Sequence, residues 1–164
     1  MEVAAHYIDL ADGREFVAGI AALDEAARAS GVLVTSGVGT LPALSSAVID
    51  ATVIDAHVAH FARLDTIDIG IAPGQCTPRG LAMWQAVLSY CGKPLEVWQD
   101  GRWRIAHGWQ AAHRFCYPAS ARAGWLACSN VADPALFLAR YRGLQRARFD
   151  AGLELLLAQA AFWL

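Results

Sequence analysis

Long apolar runs, basic clusters and a secretory leader pattern are all missing from this chain of 164 residues. No uninterrupted apolar stretch reaches the ~18 residues that a membrane-spanning helix needs, so we expect no membrane span. The formal net charge is −2, and without a basic cluster this argues against nucleic acid as a partner. The first residues show no basic region followed by a long apolar one, so we expect no signal peptide.

Cysteine is scarce, and its spacing excludes two classes of site. The four cysteines are Cys76, Cys91, Cys116 and Cys128. No two of them form a C-x-x-C pair, which fits neither a zinc site nor a disulfide framework. We therefore expect free thiols in a reducing compartment and a cytoplasmic protein.

What the chain does have is apolar content, at 56% hydrophobic against 17% charged residues. A chain of this length and composition can bury a sizeable core as one domain, or as one domain with part of another. Residues 6–10 read as a short strand, residues 16–27 as a helix with Phe16, Ile20, Leu23 and Ala27 on its inner face, and residues 32–35 as a buried strand. This strand–helix–strand order predicts a parallel pair, and we expect further strands of the same sheet to precede it.

The next segment, residues 36–42, follows the second strand, where α/β sheets usually bind ligands. Gly37 and Gly39 begin like a dinucleotide-binding loop, but Pro42 stands where the third glycine belongs. No acidic residue ends a following strand ~20 residues later, as the fingerprint needs. The residues by themselves therefore predict a turn that leads into a helix.

The rest of the sequence shows helical and alternating patterns of apolar residues. They predict helices over 43–55, 81–90, 133–140 and 153–164, strands over 64–72, 123–128 and 145–151, and an irregular segment over 108–120. The clearest signal is a hairpin, because Asp100-Gly101 separates two alternating strands, 95–99 and 102–105. We expect Trp98 and Trp103 to meet across it.

The sequence also suggests an anion site at the start of the helix over 81–90. Thr77 is a good N-cap, and Pro78 suits the first helical position. Arg79 would lie in the first turn beside free amides, and Gly80 keeps the backbone open there, which suits a carboxylate. The alternative is that Arg79 points into water or pairs with a nearby acid.

Other titratable side chains give weaker indications. His57 and His60 are three apart, but no third ligand is close in sequence, so we expect no metal site. Tyr7, Asp9 and His107 are chemically able to transfer protons. Each of the three is more often structural, and the catalytic residues stay unassigned.

Four stretches together resemble the saccharopine dehydrogenase-like oxidoreductases. These stretches are residues 6–10, 36–46, 70–81 and 92–109. The resemblance implies the fold class α/β (α+β), with a mixed β-sheet and helices packed on it, preceded by a βαβ remnant of a Rossmann-like domain. Residues 1–42 would be the end of the dinucleotide-binding domain. Residues 43–164 would be a substrate-binding and dimerisation domain, cut short at its C-terminus.

The same resemblance implies an NAD(P)-dependent parent enzyme that acts on an amino or carboxylic acid. Its second domain would cover the small-molecule substrate and form a homodimer. The parent would bind NAD or NADP, whereas this part alone should lack the main cofactor seat and be inactive. The implied substrate-site residues are Arg79, Thr77, Gly80, Ser36, Thr40 and Tyr7, with Gly37 and Gly39 on the cofactor side. The alternative is a non-catalytic binding or assembly module with the same fold.

Overall fold

The computed structural model describes residues 5–54, 63–74, 78, 80–117 and 124–152. Two compact units divide the chain. The first consists of Met1–Leu64 and Val131–Arg142, and the second of Asp65–Asn130 and Gly143–Leu164. The first unit thus continues past residue 42, and the assignment of residues 1–42 to a dinucleotide-binding domain stays a prediction.

The predicted strand–helix–strand order is confirmed in the first unit. Strands β1 (Tyr7–Ile8) and β2 (Val34–Thr35) pair in parallel, with Tyr7 opposite Val34. The connection contains α1 (Arg14–Gly19), a 3-10 turn (Ile20–Leu23) and α2 (Asp24–Ala29). A connection of this kind is needed because parallel neighbours cannot be joined by a tight hairpin.

The inner face of that connection differs from the prediction. Val17 and Ala27 are buried, whereas Phe16 and Leu23 are about half exposed. The first helix ends at Gly19 and a tighter 3-10 turn follows, so the chain does not keep a single 3.6-residue period from Phe16 to Ala27. The predicted stripe of four inward residues is therefore wrong at two positions.

Two further helices complete the described part of the first unit. A π-helical turn (Thr40–Leu44) with a cis peptide bond before Pro42 leads into α3 (Ser45–Ile54). Helix α5 (Asp133–Arg140) contacts α3 and buries Phe137. An ion pair between Arg140 and Asp50, with Nη1 and Oδ2 2.9 Å apart, joins the two helices at their surface.

The second unit contains a mixed six-stranded sheet. Its strands are β3 (Thr66–Ile71), β4 (Pro94–Gln99), β5 (Arg102–His107), β6 (His113–Phe115), β7 (Gly124–Cys128) and β8 (Arg146–Ala151). The order β5-β4-β8-β7-β6 is antiparallel throughout, and β3 lies parallel along the whole length of β8. The mixed α/β fold class is confirmed.

Strand β8 organises this sheet. It pairs with β3 along all six residues, with β4 at Arg146 and Ala147, and with β7 at its far end. Ala147 and Phe149 are buried on one face of the sheet, and Leu126 is buried on the other. The strand predicted over 145–151 is confirmed as β8.

The predicted hairpin is confirmed as β4 and β5. Asp100 and Gly101 both have positive φ angles, of 54° and 69°, as a two-residue hairpin turn requires. Trp98 and Trp103 face each other with ring centroids 5.4 Å apart in an edge-to-face arrangement. The segment over 108–120 is less irregular than expected, because it contains β6 paired with β7.

Helix α4 (Leu81–Tyr90) departs most from the sequence pattern. None of its residues is buried, and the apolar side chains of Leu81 and Leu88 are largely exposed. A helical period identifies an apolar face but does not supply a neighbour to cover it.

None of the described helices has the length and apolar character needed to cross a membrane.

Candidate functional site

Asp9 is the central residue of a polar cluster at the carboxyl ends of β1 and β2. Its Oδ1 atom accepts hydrogen bonds from the amide of Ala11 at 2.8 Å, the hydroxyl of Ser36 at 2.8 Å and the amide of Gly37 at 3.2 Å. Its backbone oxygen accepts a fourth bond, from the amide of Val38 at 2.9 Å. One side chain after the first strand thus holds the 36–42 loop after the second.

The cluster keeps Asp9 ionised. Burial would by itself raise the pKa of Asp9, but the hydrogen bonds from Ala11, Ser36, Gly37 and Tyr7 outweigh it and lower the pKa to about 2. A carboxylate that accepts several N–H and O–H bonds is stabilised in its charged form. Such a weak base is poorly suited to take a proton at neutral pH, so we assign Asp9 to positioning the loop.

Tyr7 belongs to the same cluster. Hydrogen bonding to Asp9, then burial, then the negative charge of Asp9 raise the pKa of Tyr7. The phenol therefore stays protonated at neutral pH. The structure brings together Tyr7, Ser36 and Gly37 from the predicted site, and Thr40 follows in the same loop with an exposed side chain.

The two glycines of the loop have different surroundings. Gly37 has a φ of +78°, and a Cβ atom there would lie 2.6 Å from the Cδ atom of Pro42. A Cβ at Gly39 would meet no atom closer than 3.5 Å. Gly37 is thus required by the turn itself, as the residues alone predicted.

The hydrogen bonds donated by the loop amides show whether Gly37 and Val38 fit a dinucleotide. A phosphate cradle needs backbone amides directed at the ligand. The amides of Gly37 and Val38 instead donate to Asp9. Gly37 and Val38 therefore do not fit a phosphate cradle, and a cofactor contact at Gly37 or Gly39 stays a prediction.

No family model and no curated protein matches this sequence. The resemblance to the saccharopine dehydrogenase-like oxidoreductases therefore rests on the four stretches that carry it.

A buried carboxyl group, that of Asp133, supports the end of the loop. Asp133, at the start of α5, has no exposed surface, and its Oδ1 atom is very close to the hydroxyl oxygen of Ser45. The Ser45 hydroxyl also donates to the backbone oxygen of Pro42 at 2.9 Å. Burial raises the pKa of Asp133, and the nearby Asp12 adds to this, while the Ser45 bond opposes it.

The helix start on which the predicted anion site depends lies later in the chain than expected. Helix α4 begins at Leu81 with Gly80 as its N-cap, three residues later than a Thr77 cap requires. Thr77 and Arg79 themselves lie outside the described residues, so their role stays a prediction. Asp68, on β3, pairs with Arg146, with Oδ1 and Nε 2.9 Å apart.

Metal binding was not expected, and His57 and His60 lie outside the described residues. Among the residues that the structure describes, no group of three or more His, Cys, Asp or Glu side chains could hold a metal ion. His107, the third candidate for proton transfer, lies at the end of β5 in the second unit. It is not part of the Asp9 cluster.

Two features escaped sequence analysis. The Ser45–Asp133 contact joins residues 88 apart in the chain, and nothing in either local pattern indicates it. Arg146 and Arg148 alternate with apolar residues, which predicted their strand but not their partners. Those partners, Asp68 and Asp150, are fixed by the register of β3 on β8 and by Asp150 lying on the same face of β8.

Proposed function

We propose that this chain is part of an NAD(P)-dependent oxidoreductase of the saccharopine dehydrogenase-like type, acting on an amino or carboxylic acid. In this proposal, the first unit contributes the last strand–helix–strand element of the nucleotide-binding part. The second contributes the domain that covers the substrate and forms the dimer. The dinucleotide phosphates are bound by residues other than Gly37 and Val38, whose amides are used by Asp9.

The observation that carries the proposal is the Asp9 cluster. A loop fixed at the carboxyl ends of two parallel strands is where open α/β sheets bind ligands. Three hydrogen bonds to Asp9, from Ser36, Gly37 and Val38, hold the loop in one conformation before any substrate arrives, which reduces the ordering cost of binding. Thr40 then offers its exposed hydroxyl, while Ser36 and Tyr7 act through Asp9.

The reading frame upstream of Met1 provides the first test. The proposal expects it to encode a strand, a Gly-x-Gly-x-x-Gly turn and a helix. The product of the whole reading frame should then reduce NAD⁺ or NADP⁺, followed at 340 nm, with at least one member of a panel of amino and 2-hydroxy acids. An upstream frame without this motif, together with no turnover across the panel, would favour the non-catalytic module.

Thr40→Val tests the substrate side of the loop in that same protein. The change removes one hydroxyl at nearly constant volume, so we expect KM to rise about 5- to 30-fold, as one lost hydrogen bond implies, with an unchanged melting temperature. Thr52→Val is the matched control, because Thr52 bonds only to Val48 within α3. Equal KM values for wild type and Thr40→Val would remove Thr40 from the site.

A further inference from the structure

A cavity of about 350 Å³ opens in the second unit. Its polar lining includes Arg146 and Arg148 of β8, with Gln99 of β4 directly opposite Arg146. His107 and Gln110 add an imidazole and a second carboxamide at its margin. Cavities from about 300 Å³ upwards are large enough for a small-molecule ligand.

The other part of the lining is apolar. Val97 and Ala106 contribute to it from the β4–β5 hairpin, on the face of the sheet that carries Gln99 and Arg146. A ligand that fits this lining therefore has an apolar body as well as a polar end.

Both arginines are held in place by aspartates that use one edge of each guanidinium. The Nε atom of Arg146 lies 2.9 Å from Oδ1 of Asp68, and the Nε atom of Arg148 lies 2.7 Å from Oδ1 of Asp150. A guanidinium has five N–H donors in a planar fork, so its terminal amino groups keep donors for another acceptor.

Of the two aspartates, Asp150 is the more deeply buried, so it is the weaker competitor for an anion in the cavity. Asp150 is 1% exposed, and its second oxygen lies 3.6 Å from Nε2 of His113. The Nη2 atom of Arg148 is also 3.3 Å from Nδ1 of His113. Arg148 is thereby braced from two sides, with its side chain one quarter exposed.

We propose that this cavity binds a small carboxylic acid with an apolar body. The carboxylate lies on the terminal amino groups of Arg146 and Arg148, and the body lies against Val97 and Ala106. Guanidinium pairs bind carboxylate and phosphate alike, but a phosphate ion would leave the apolar wall uncovered. This inference rests on the second unit alone and does not depend on the oxidoreductase proposal.

Titration of the full chain with hexanoate, followed by ¹H–¹⁵N NMR, tests the proposal. Hexanamide, its neutral counterpart, and inorganic phosphate are titrated alongside it without any nucleotide. We expect hexanoate to bind at least about tenfold more tightly than either, because a charge-assisted bond and apolar contact act together only in hexanoate. The largest shifts should fall on Val97, Gln99 and Arg148.

Matched variants then locate the site. Arg146→Gln should weaken hexanoate binding about tenfold. Arg104→Gln should not, although Arg104 has the same exposure and also pairs with an aspartate, since it lies outside the cavity lining. Arg148→Gln alone would leave Asp150 buried without its partner, so the double change Arg148→Gln/Asp150→Asn is the safer variant.

Three outcomes would overturn the proposal. They are equal affinity for hexanoate and hexanamide, tighter binding of phosphate than of hexanoate, and equal losses in Arg104→Gln and Arg146→Gln. The first two reject the proposed ligand class, and the third rejects the location. None of them bears on NAD(P)-linked turnover, so this inference and the proposed function can fail separately.

Discussion

Ser45 has one hydroxyl proton but two acceptors, the backbone oxygen of Pro42 and Oδ1 of Asp133. One proton cannot satisfy both. A neutral Asp133 resolves the conflict, because its carboxyl group then donates to Ser45 and Ser45 donates to Pro42. The raised pKa of the buried Asp133 agrees with this arrangement.

Asp133→Asn should therefore become more favourable as the pH rises. Because the folded state raises the pKa of Asp133 above 3.8, the wild type holds a proton that the unfolded chain has released. Wild-type stability falls as the pH rises from about 4 toward that raised pKa. The Asn amide donates to Ser45 without burying a charge, so we expect the free energy of unfolding of the variant to rise relative to that of the wild type between pH 4 and pH 7.

Thermal unfolding at pH 4, 5.5 and 7 measures that difference. Asp24→Asn serves as the control, because Asp24 pairs with Arg28 on the surface, where an ion pair contributes little. If the stability of Asp133→Asn relative to the wild type stays constant or falls as the pH rises, the folded state does not raise the pKa of Asp133.

The 36–42 loop gives a prediction at the scale of an element. Gly37→Ala places a Cβ 2.6 Å from Pro42 at a positive φ, so we expect a loss of about 1–3 kcal/mol in the free energy of unfolding. Gly39→Ala has room and an extended φ of −120°, and should change that free energy by less than about 0.5 kcal/mol. Urea unfolding of both variants makes the comparison. Equal losses would mean that the loop has another conformation in solution.

Elements whose conformation is set by residues adjacent in sequence could be predicted from the sequence. Asp100 and Gly101 accept the positive φ angles of a two-residue turn, which fixes the register that brings Trp98 and Trp103 together. The exposure of helix α4 could not be predicted, because periodicity orients a face without saying what packs on it.

The candidate sites also combine features that the local sequence predicts with features that depend on long-range strand pairing. The position of the 36–42 loop after a strand was readable from the sequence. Its attachment through Asp9 needed the parallel pairing of β1 and β2, which connects residues far apart in the chain. The arginine-lined cavity likewise depends on β3 and β4 meeting β8, and such long-range pairings leave no local signal.

Exposed apolar side chains are relevant to the oligomeric state of the molecule. Strand β5 lies at the end of the strand order in its sheet, and it carries Ile105 at 63% exposure and Trp103 at 41%. An edge strand with apolar side chains offers both backbone groups and surface to a second copy. The sequence over 153–164 is also strongly apolar, with Glu154 as its one charged residue.

We therefore expect the chain to self-associate, with a two-fold dimer as the simplest outcome. Multi-angle light scattering at micromolar concentration should give a mass of at least twice 17.6 kDa. Ile105→Lys places a charge on the edge strand and should shift the population toward monomer by about tenfold in the dissociation constant, the effect of one lost apolar contact. Val48→Lys on α3 alters a side chain of similar exposure, 56%, in the first unit, and should leave the mass unchanged. A monomeric wild type at these concentrations would contradict self-association, and a dimer equally weakened by both changes would place the contact elsewhere than β5.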